Sequence, residues 1–556
     1  MIDITKDCAT VTEYVERWAA ECPDRVWLRD RAGDEFTEWT WAQALDEYNR
    51  VAAWLEELIG DRGARCAILS KNRAHWTLAD MAIAASGNIS IPIFTTLRPK
   101  DVSYILDFAG VDYLFLGESD NWEAVQGILP EHVKVITLPG VEWDKAIRRW
   151  EDVTEAFEGR RPTHVCQRDE LLTIPFTSGT TGTPKGVMQT HDSMLIPMIR
   201  ARNVFAMRVH PRFLSYLPLS HIAERQLIWI QSLVYCGDVT FNEGLPHLLR
   251  DMASTRPTYF FGAPRVWEQL QQGILAQFGS QDKLDQALAA NGEAVGAKIR
   301  GLLGLDDTDY LLTAAAPTPA ALIYWWEKLG ITLMEGYGQT EAMALIASTE
   351  ENRRVGSIGK PAGGVEVRIG ENDELLCRAE GLALGYYKRP DETAETFVNG
   401  WVHTGDKARV DEHGFYYITG RVKDYFKTIH AKFVAPVPIE AEFARSHWVE
   451  QQCLLGRGFS KTVMVCVLSA GGQTANQAEV ETDLRELVAE INEKVEKHAR
   501  IGVVMVSHDP WTIENGVLTP TLKIKRETVH DKFGGQAEAL AHEAAEQHKI
   551  LFAWLD

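Results

Sequence analysis

Apolar positions along this chain fall into short runs that alternate with segments of helical composition. Residues 66–69, Cys-Ala-Ile-Leu, form one such run, and residues 89–93 form the next. Between them, residues 75–85 have the composition of a helix. This β-α-β rhythm predicts a mainly parallel sheet covered by helices. Residues 112–116 and 133–138 continue it. Residues 171–176 and 187–190 are strand-like runs on either side of a Gly/Ser/Thr-rich loop, and residues 214–217, 258–262 and 311–314 make a second round after it. From about Val365 the runs shorten and turns intervene, with residues 415–419 as one example. Beyond Gly420 the pattern predicts a smaller α+β unit. In it Leu484, Leu487, Val488, Ile491 and Val495 keep helical spacing and mark one buried helix face. Residues 469–474 read as a loop. The expected fold is therefore α/β, with mixed or parallel sheets and helices over residues 1–420 and a small α+β domain over residues 421–556.

A length of 556 residues is too great for one core, which agrees with at least two domains. The net charge of −21 argues against general nucleic-acid binding, which needs a basic face. It leaves room for a local basic patch that meets a phosphorylated ligand. The eight cysteines are scattered and form no CxxC pair, so neither a zinc site nor a disulfide scaffold is expected. They read as reduced thiols of a cytoplasmic protein. The N-terminal residues are charged and lack a signal-peptide core. No apolar run approaches the ~18 residues of a membrane span. Peripheral membrane contact and the oligomeric state stay open.

The densest chemistry lies at Thr177-Ser178-Gly179-Thr180-Thr181-Gly182-Thr183-Pro184-Lys185-Gly186. Gly179 and Gly182 let the backbone turn sharply or approach a ligand closely. Successive N–H groups and hydroxyls can then surround phosphate oxygens, and Lys185 adds a positive charge. The loop is not a Walker A motif, because Lys185 is followed by Gly186 and a strand rather than by Ser or Thr at a helix mouth. A strand–loop–strand cradle of this kind points to nucleoside triphosphate chemistry.

This loop resembles the phosphate-binding signature of the adenylate-forming (AMP-binding) superfamily, which includes acyl-CoA synthetases and firefly luciferase. Four further segments match in the family's order. They are Tyr337-Gly338-Gln339-Thr340-Glu341, His403-Thr404-Gly405-Asp406, Gly420-Arg421-Val422-Lys423-Asp424, and the lysine motif at residues 519–526. The resemblance covers roughly residues 10–530. It implies ATP-dependent activation of a carboxylate to an acyl-adenylate, followed by transfer to a thiol.

Carried over residue by residue, the resemblance implies that Thr177, Ser178, Gly179, Thr180, Thr181, Gly182 and Lys185 hold the β- and γ-phosphates. Glu341 binds Mg²⁺, Thr340 touches the α-phosphate, and Tyr337 and Gly338 lie by the adenine with Ala315 in its wall. Asp406 and Arg421 hold the ribose. Lys523 is the catalytic lysine, with Lys525 as the competing assignment. Lys423 is the hinge about which the small domain swings between half-reactions. Lys427, His430, Ala431 and Lys432 form a loop on the coenzyme A side. Relatives carry glycine near Ala431, so an alanine held at positive φ there costs roughly 1 kcal/mol.

Residues 257–268, 436–440 and 514–521 look closer to medium- and long-chain fatty acyl-CoA synthetases than to the aryl or acetyl enzymes. Residues 218–225 align with the acyl-pocket segment. His221 in it contacts the carboxylate, gates the thiol tunnel or packs for structure. Trp229, Phe241 and Phe261 read as tunnel wall or as ordinary core. The implied substrates are a fatty acid, ATP with Mg²⁺, and coenzyme A. Transfer to a carrier-protein thiol and a non-catalytic nucleotide-binding role are the alternatives.

Overall fold

A computed structural model describes residues 3–177, 183–343, 346–519 and 523–555. The chain forms two compact units. The first comprises residues 1–368, 376–404 and 412–416; the second comprises residues 369–375, 405–411 and 417–556.

The first unit carries the predicted β-α-β rounds. Its largest sheet runs in the order Gly385–Tyr386, Lys185–Thr190, Leu171–Thr173, Ile89–Ile93, Arg65–Leu69, Val111–Leu116, Lys134–Thr137, Arg148–Arg149. The strands from Leu171–Thr173 to Arg148–Arg149 pair in parallel. Lys185–Thr190 is antiparallel to its neighbours. Helix Ala74–Ala85 is buried along its whole length, which explains why it shows no amphipathic stripe. A second sheet sets Tyr259–Gly262, Tyr310–Thr313 and Met334–Tyr337 side by side in parallel. A third runs Arg212–Ser215, Asp238–Phe241, Val26–Ala32, Glu35–Thr40.

The second unit is a three-layer sandwich. Its sheet runs Val449–Leu455, Thr462–Leu468, Ile501–Ser507, Leu551–Leu555. Both central strands are buried on both faces, so they read as continuous apolar runs rather than alternations. Val463, Val465 and Val467 pack with Val529, Phe533, Ala537, Ala541 and Ala544 of helix Arg526–Gln547. Met464, Cys466 and Leu468 face the other way, onto Val480, Leu484, Val488 and Ile491 of helix Gln477–Lys494. That is the face expected from the spacing, except that Val495 caps the helix instead of continuing it. The loop expected at residues 469–474 is corrected to a short helix, Ala470–Thr474. Ser469 caps it by accepting the Gly472 N–H, which offsets the poor helix propensity of two adjacent glycines.

Candidate active site

Thr177 and Lys185 face each other across an antiparallel pair, at the two ends of the Gly/Ser/Thr loop. Ser178, Gly179, Thr180, Thr181 and Gly182 lie outside the described residues. Lys185 opens its strand, with its Nζ 5.0 Å from the centroid of the Tyr386 ring. Gly186 follows because nothing larger fits. A Cβ there would stand 2.7 Å from Ile174 Cγ2 and 3.0 Å from Phe176 Cζ.

The turn after Met334–Tyr337 is fastened to the same strand. Gln189 Nε2 donates to the Thr340 carbonyl at 2.6 Å. The Ser193 hydroxyl holds Gln189 in turn, donating to its Oε1 at 2.6 Å. Tyr386 lies on the two-residue strand paired with Lys185–Thr190 and donates its hydroxyl to Glu341 Oε1 at 2.7 Å. The Ala383 N–H donates to the Glu341 carbonyl at 3.2 Å. Lys185, Thr340 and Glu341 therefore belong to one frame within the first unit. Glu341 accepts the Tyr386 hydroxyl on one oxygen, and a carboxylate has about four acceptor positions. Lone pairs remain for a cation, which fits the one or two carboxylates that Mg²⁺ takes beside nucleotide phosphates.

Ala315 leaves the carboxyl end of Tyr310–Thr313, and Tyr337 ends the parallel neighbour Met334–Tyr337. Both thus sit at the carboxyl edge of one sheet, where α/β folds place their ligands. Ala315 is exposed at φ 71°. The Thr313 and Thr318 hydroxyls close the turn around it at 2.8 Å. Gly338 is half-buried and in contact reach of Met343.

In the second unit, Asp406 and Arg421 are brought together. Arg421 Nε lies 3.0 Å from Asp406 Oδ1, and the Val422 N–H donates to the Gly405 carbonyl. Asp406 is buried and Arg421 about half exposed, so the pair opens outward on the arginine side. Lys423 lies exposed in the turn closed by the Asp424 N–H on the Arg421 carbonyl. The hairpin Phe426–Lys427 and Phe433–Val434 carries Lys427, His430, Ala431 and Lys432. Lys427 lies over the Phe433 ring, while His430, Ala431 and Lys432 are exposed at the tip. Ala431 has φ 55°, the left-handed conformation for which glycine is preferred. Ala431→Gly is expected to stabilise the protein by about 1 kcal/mol, read as a higher urea midpoint. A lower midpoint would show that the Cβ has a packing role.

Lys523 is exposed. Its N–H donates to Thr519 Oγ1, and its carbonyl accepts the Thr519 N–H. Lys525 is half-buried and caps helix Arg526–Gln547.

His221 caps the next helical segment, with Nδ1 accepting the Ala223 N–H at 3.2 Å. In the neutral ring this puts the proton on Nε2. A π-helical turn, Arg225–Ile230, follows directly. Glu224 beside it is fully buried, and burial pushes its carboxyl up to about 8. Ser215 and the amides of Tyr216 and Leu217 offset this only in part. Trp229, Phe241 and Phe261 all lie within the main core, and Trp229 covers the Arg225 guanidinium.

Sequence reading missed Gln189, Tyr386 and Glu224. Tyr386 had one signal, the Gly-Tyr pair just before the helix start at Pro390.

A family model described as AMP-binding enzyme matches residues 15–387, and one for the C-terminal domain of these enzymes matches residues 424–545. The chain belongs to the AMP-binding enzyme family. A long-chain-fatty-acid–CoA ligase of Mycobacterium bovis is 28% identical to this AMP-binding enzyme, covering 93% of this chain and 94% of the relative. Fatty acyl-CoA synthetase A of Dictyostelium discoideum is 27% identical over 94% of this chain and 89% of its own. Among solved structures, an anthranilate CoA ligase in complex with anthranoyl-AMP has a TM-score of 0.78 at 22% identity, covering 96% of this chain and 100% of that one. The adenylation domain of a Mycobacterium chelonae carboxylate reductase reaches 0.80 at 21% identity, covering 97% and 92%. The fold of this AMP-binding enzyme is accordingly the adenylate-forming one, with a large N-terminal and a smaller C-terminal domain. No helix among the described residues is long and apolar enough to cross a membrane.

Proposed function

We propose that this chain joins a fatty acid to the α-phosphate of ATP, expels pyrophosphate, and passes the acyl group to the thiol of coenzyme A. The observation that carries the first step is the frame holding Lys185, Thr340 and Glu341 together through Gln189 and Tyr386. The attacking carboxylate and the phosphates are both anionic, so the barrier is chiefly charge repulsion. Positioning, cations and fixed dipoles lower it more than a general base does.

In this reading Thr177, Lys185 and the loop at residues 178–182 hold the outer phosphates. Thr340 meets the α-phosphate, and Glu341 holds Mg²⁺, which neutralises phosphate charge when bound. Tyr337, Gly338 and Ala315 flank the adenine, and Asp406 with Arg421 takes the ribose hydroxyls. Lys523 bridges the carboxylate and the α-phosphate. It rides on a C-terminal domain of residues 421–556, which turns at Lys423 and then presents Lys427, His430, Ala431 and Lys432 toward coenzyme A. His221, with its proton on Nε2, faces the acyl carboxylate. The fatty acid and coenzyme A are supported by the names of relatives matched over nearly their whole length.

The test is incubation of the purified protein with ATP, Mg²⁺, coenzyme A and fatty acids from short to very long, followed by mass spectrometry. AMP and acyl-CoA with a chain-length optimum are expected. Acyl-adenylate without acyl-CoA would overturn the coenzyme A half and favour a carrier-protein thiol. No AMP from any acid would overturn both halves.

A further inference from the structure

Tyr386 touches two of the residues assigned to the nucleotide. Its hydroxyl donates to Glu341 Oε1 at 2.7 Å, and Lys185 Nζ lies 5.0 Å from its ring centroid. The placement of the ring does not depend on either partner. Tyr386 pairs with Val187 across the sheet. Its N–H donates to Thr393 Oγ1 at 2.9 Å, and Phe397 packs edge-on against the ring. The residue is 8% exposed. Packing and the cation contact need only the ring, so phenylalanine would satisfy both. The hydroxyl is what reaches the carboxylate.

We propose that Tyr386 is a positioning residue for the nucleotide phosphates and their metal, fixing the Glu341 carboxylate at its tip and the Lys185 ammonium on its face. This rests on the reading that Glu341 and Lys185 face the nucleotide. A glutamate that must meet a cation in one place loses rotamer freedom on binding, and a fixed hydrogen bond removes that cost beforehand. A neutral hydroxyl restrains the carboxylate without cancelling its charge, whereas a direct ion pair would compete with the metal. The ring likewise keeps the ammonium close without an anionic partner. One rigid side chain thereby sets the spacing of a positive and a negative group that are 156 positions apart in sequence (341 minus 185).

The test compares Tyr386→Phe, Tyr386→Leu and Glu341→Gln in two readouts. One is Mn²⁺–ATP binding, followed by electron paramagnetic resonance. The other is ATP–pyrophosphate exchange with a fatty acid as a function of Mg²⁺. Tyr386→Phe is expected to raise the metal concentration for half-saturation about tenfold at unchanged melting temperature, the size of one hydrogen bond to a charged group. Tyr386→Leu is expected in addition to weaken ATP binding in excess chelator, because Lys185 is no longer held. Wild-type metal dependence in Tyr386→Phe, with Glu341→Gln impaired, would overturn the proposal and leave the role of Glu341 standing. Wild-type Mn²⁺–ATP binding in Glu341→Gln would overturn the metal reading and this proposal together. A loss in Tyr386→Phe that tracks a fall in melting temperature would reduce Tyr386 to packing.

Discussion

Lys523→Ala is expected to lower ATP–pyrophosphate exchange by about 10²- to 10³-fold, the usual loss when one fixed donor to developing charge is removed. ATP affinity should hardly change. The structure separates this lysine from its neighbour. Ile524 turns inward onto the core of the second unit, and Leu518 bridges to it. Lys525 donates its N–H to the Val517 carbonyl and opens helix Arg526–Gln547. The next residue, Arg526, is half-buried and donates to both Glu440 carboxylate oxygens at 2.7 and 2.9 Å. Lys525 is thus tied to a structural joint, while the Lys523 side chain is exposed. Lys525→Ala should keep most of the exchange activity. The reverse pattern, with Lys525→Ala inactive and Lys523→Ala normal, would move the catalytic role by two positions.

Asp80→Ala should cost about 3–5 kcal/mol of stability, because it strands a guanidinium in the core. Arg225 and Asp80 are both fully buried, with Arg225 Nη2 2.6 Å from Asp80 Oδ2. Arg225 Nη1 also donates to Thr173 Oγ1 at 2.6 Å, and the Trp76 and Trp229 rings cover the guanidinium. These contacts tie the helical run after His221 to helix Ala74–Ala85 and, through Thr173, to the main sheet. Its net worth against an apolar core is small, since desolvation consumes most of the Coulombic gain. Asp80→Leu combined with Arg225→Met should therefore recover much of what either single change loses. Urea unfolding of the two single variants and the double variant measures this. A cost under about 1 kcal/mol for Asp80→Ala would mean that water or another group reaches Arg225.

Much of this molecule was legible beforehand, for identifiable reasons. Strands such as Ile89–Ile93 and Val111–Leu116 are local apolar runs, so local pattern suffices to place them. Asp406 and Arg421 stand in ordered motifs fifteen positions apart, and they do meet. The alanine at a position where relatives carry glycine was visible in the sequence, and Ala431 has a positive φ in the structure. Features set by distant partners were not legible. Tyr386 lies on a two-residue strand whose partner is about 200 positions earlier. Helix Arg526–Gln547 meets its sheet largely through Ala537, Ala541 and Ala544, which carry little apolar signal. Residues 469–474 look like a loop because of their two glycines, yet they form a helix capped by Ser469. The burial of Glu224 has no sequence signature at all.

The π-helical turn at Arg225–Ile230 has a consequence for insertions and deletions. Such a turn holds one residue more than the α-helical turns on either side, at Ile222–Glu224 and Gln231–Tyr235. Deleting a single residue there would let the helix close into regular geometry with its backbone bonds intact. It would also swing His221 about 100° around the axis relative to Leu233 and Val234. Among homologous chains, the length of this segment therefore says where the histidine points, and residue identity does not.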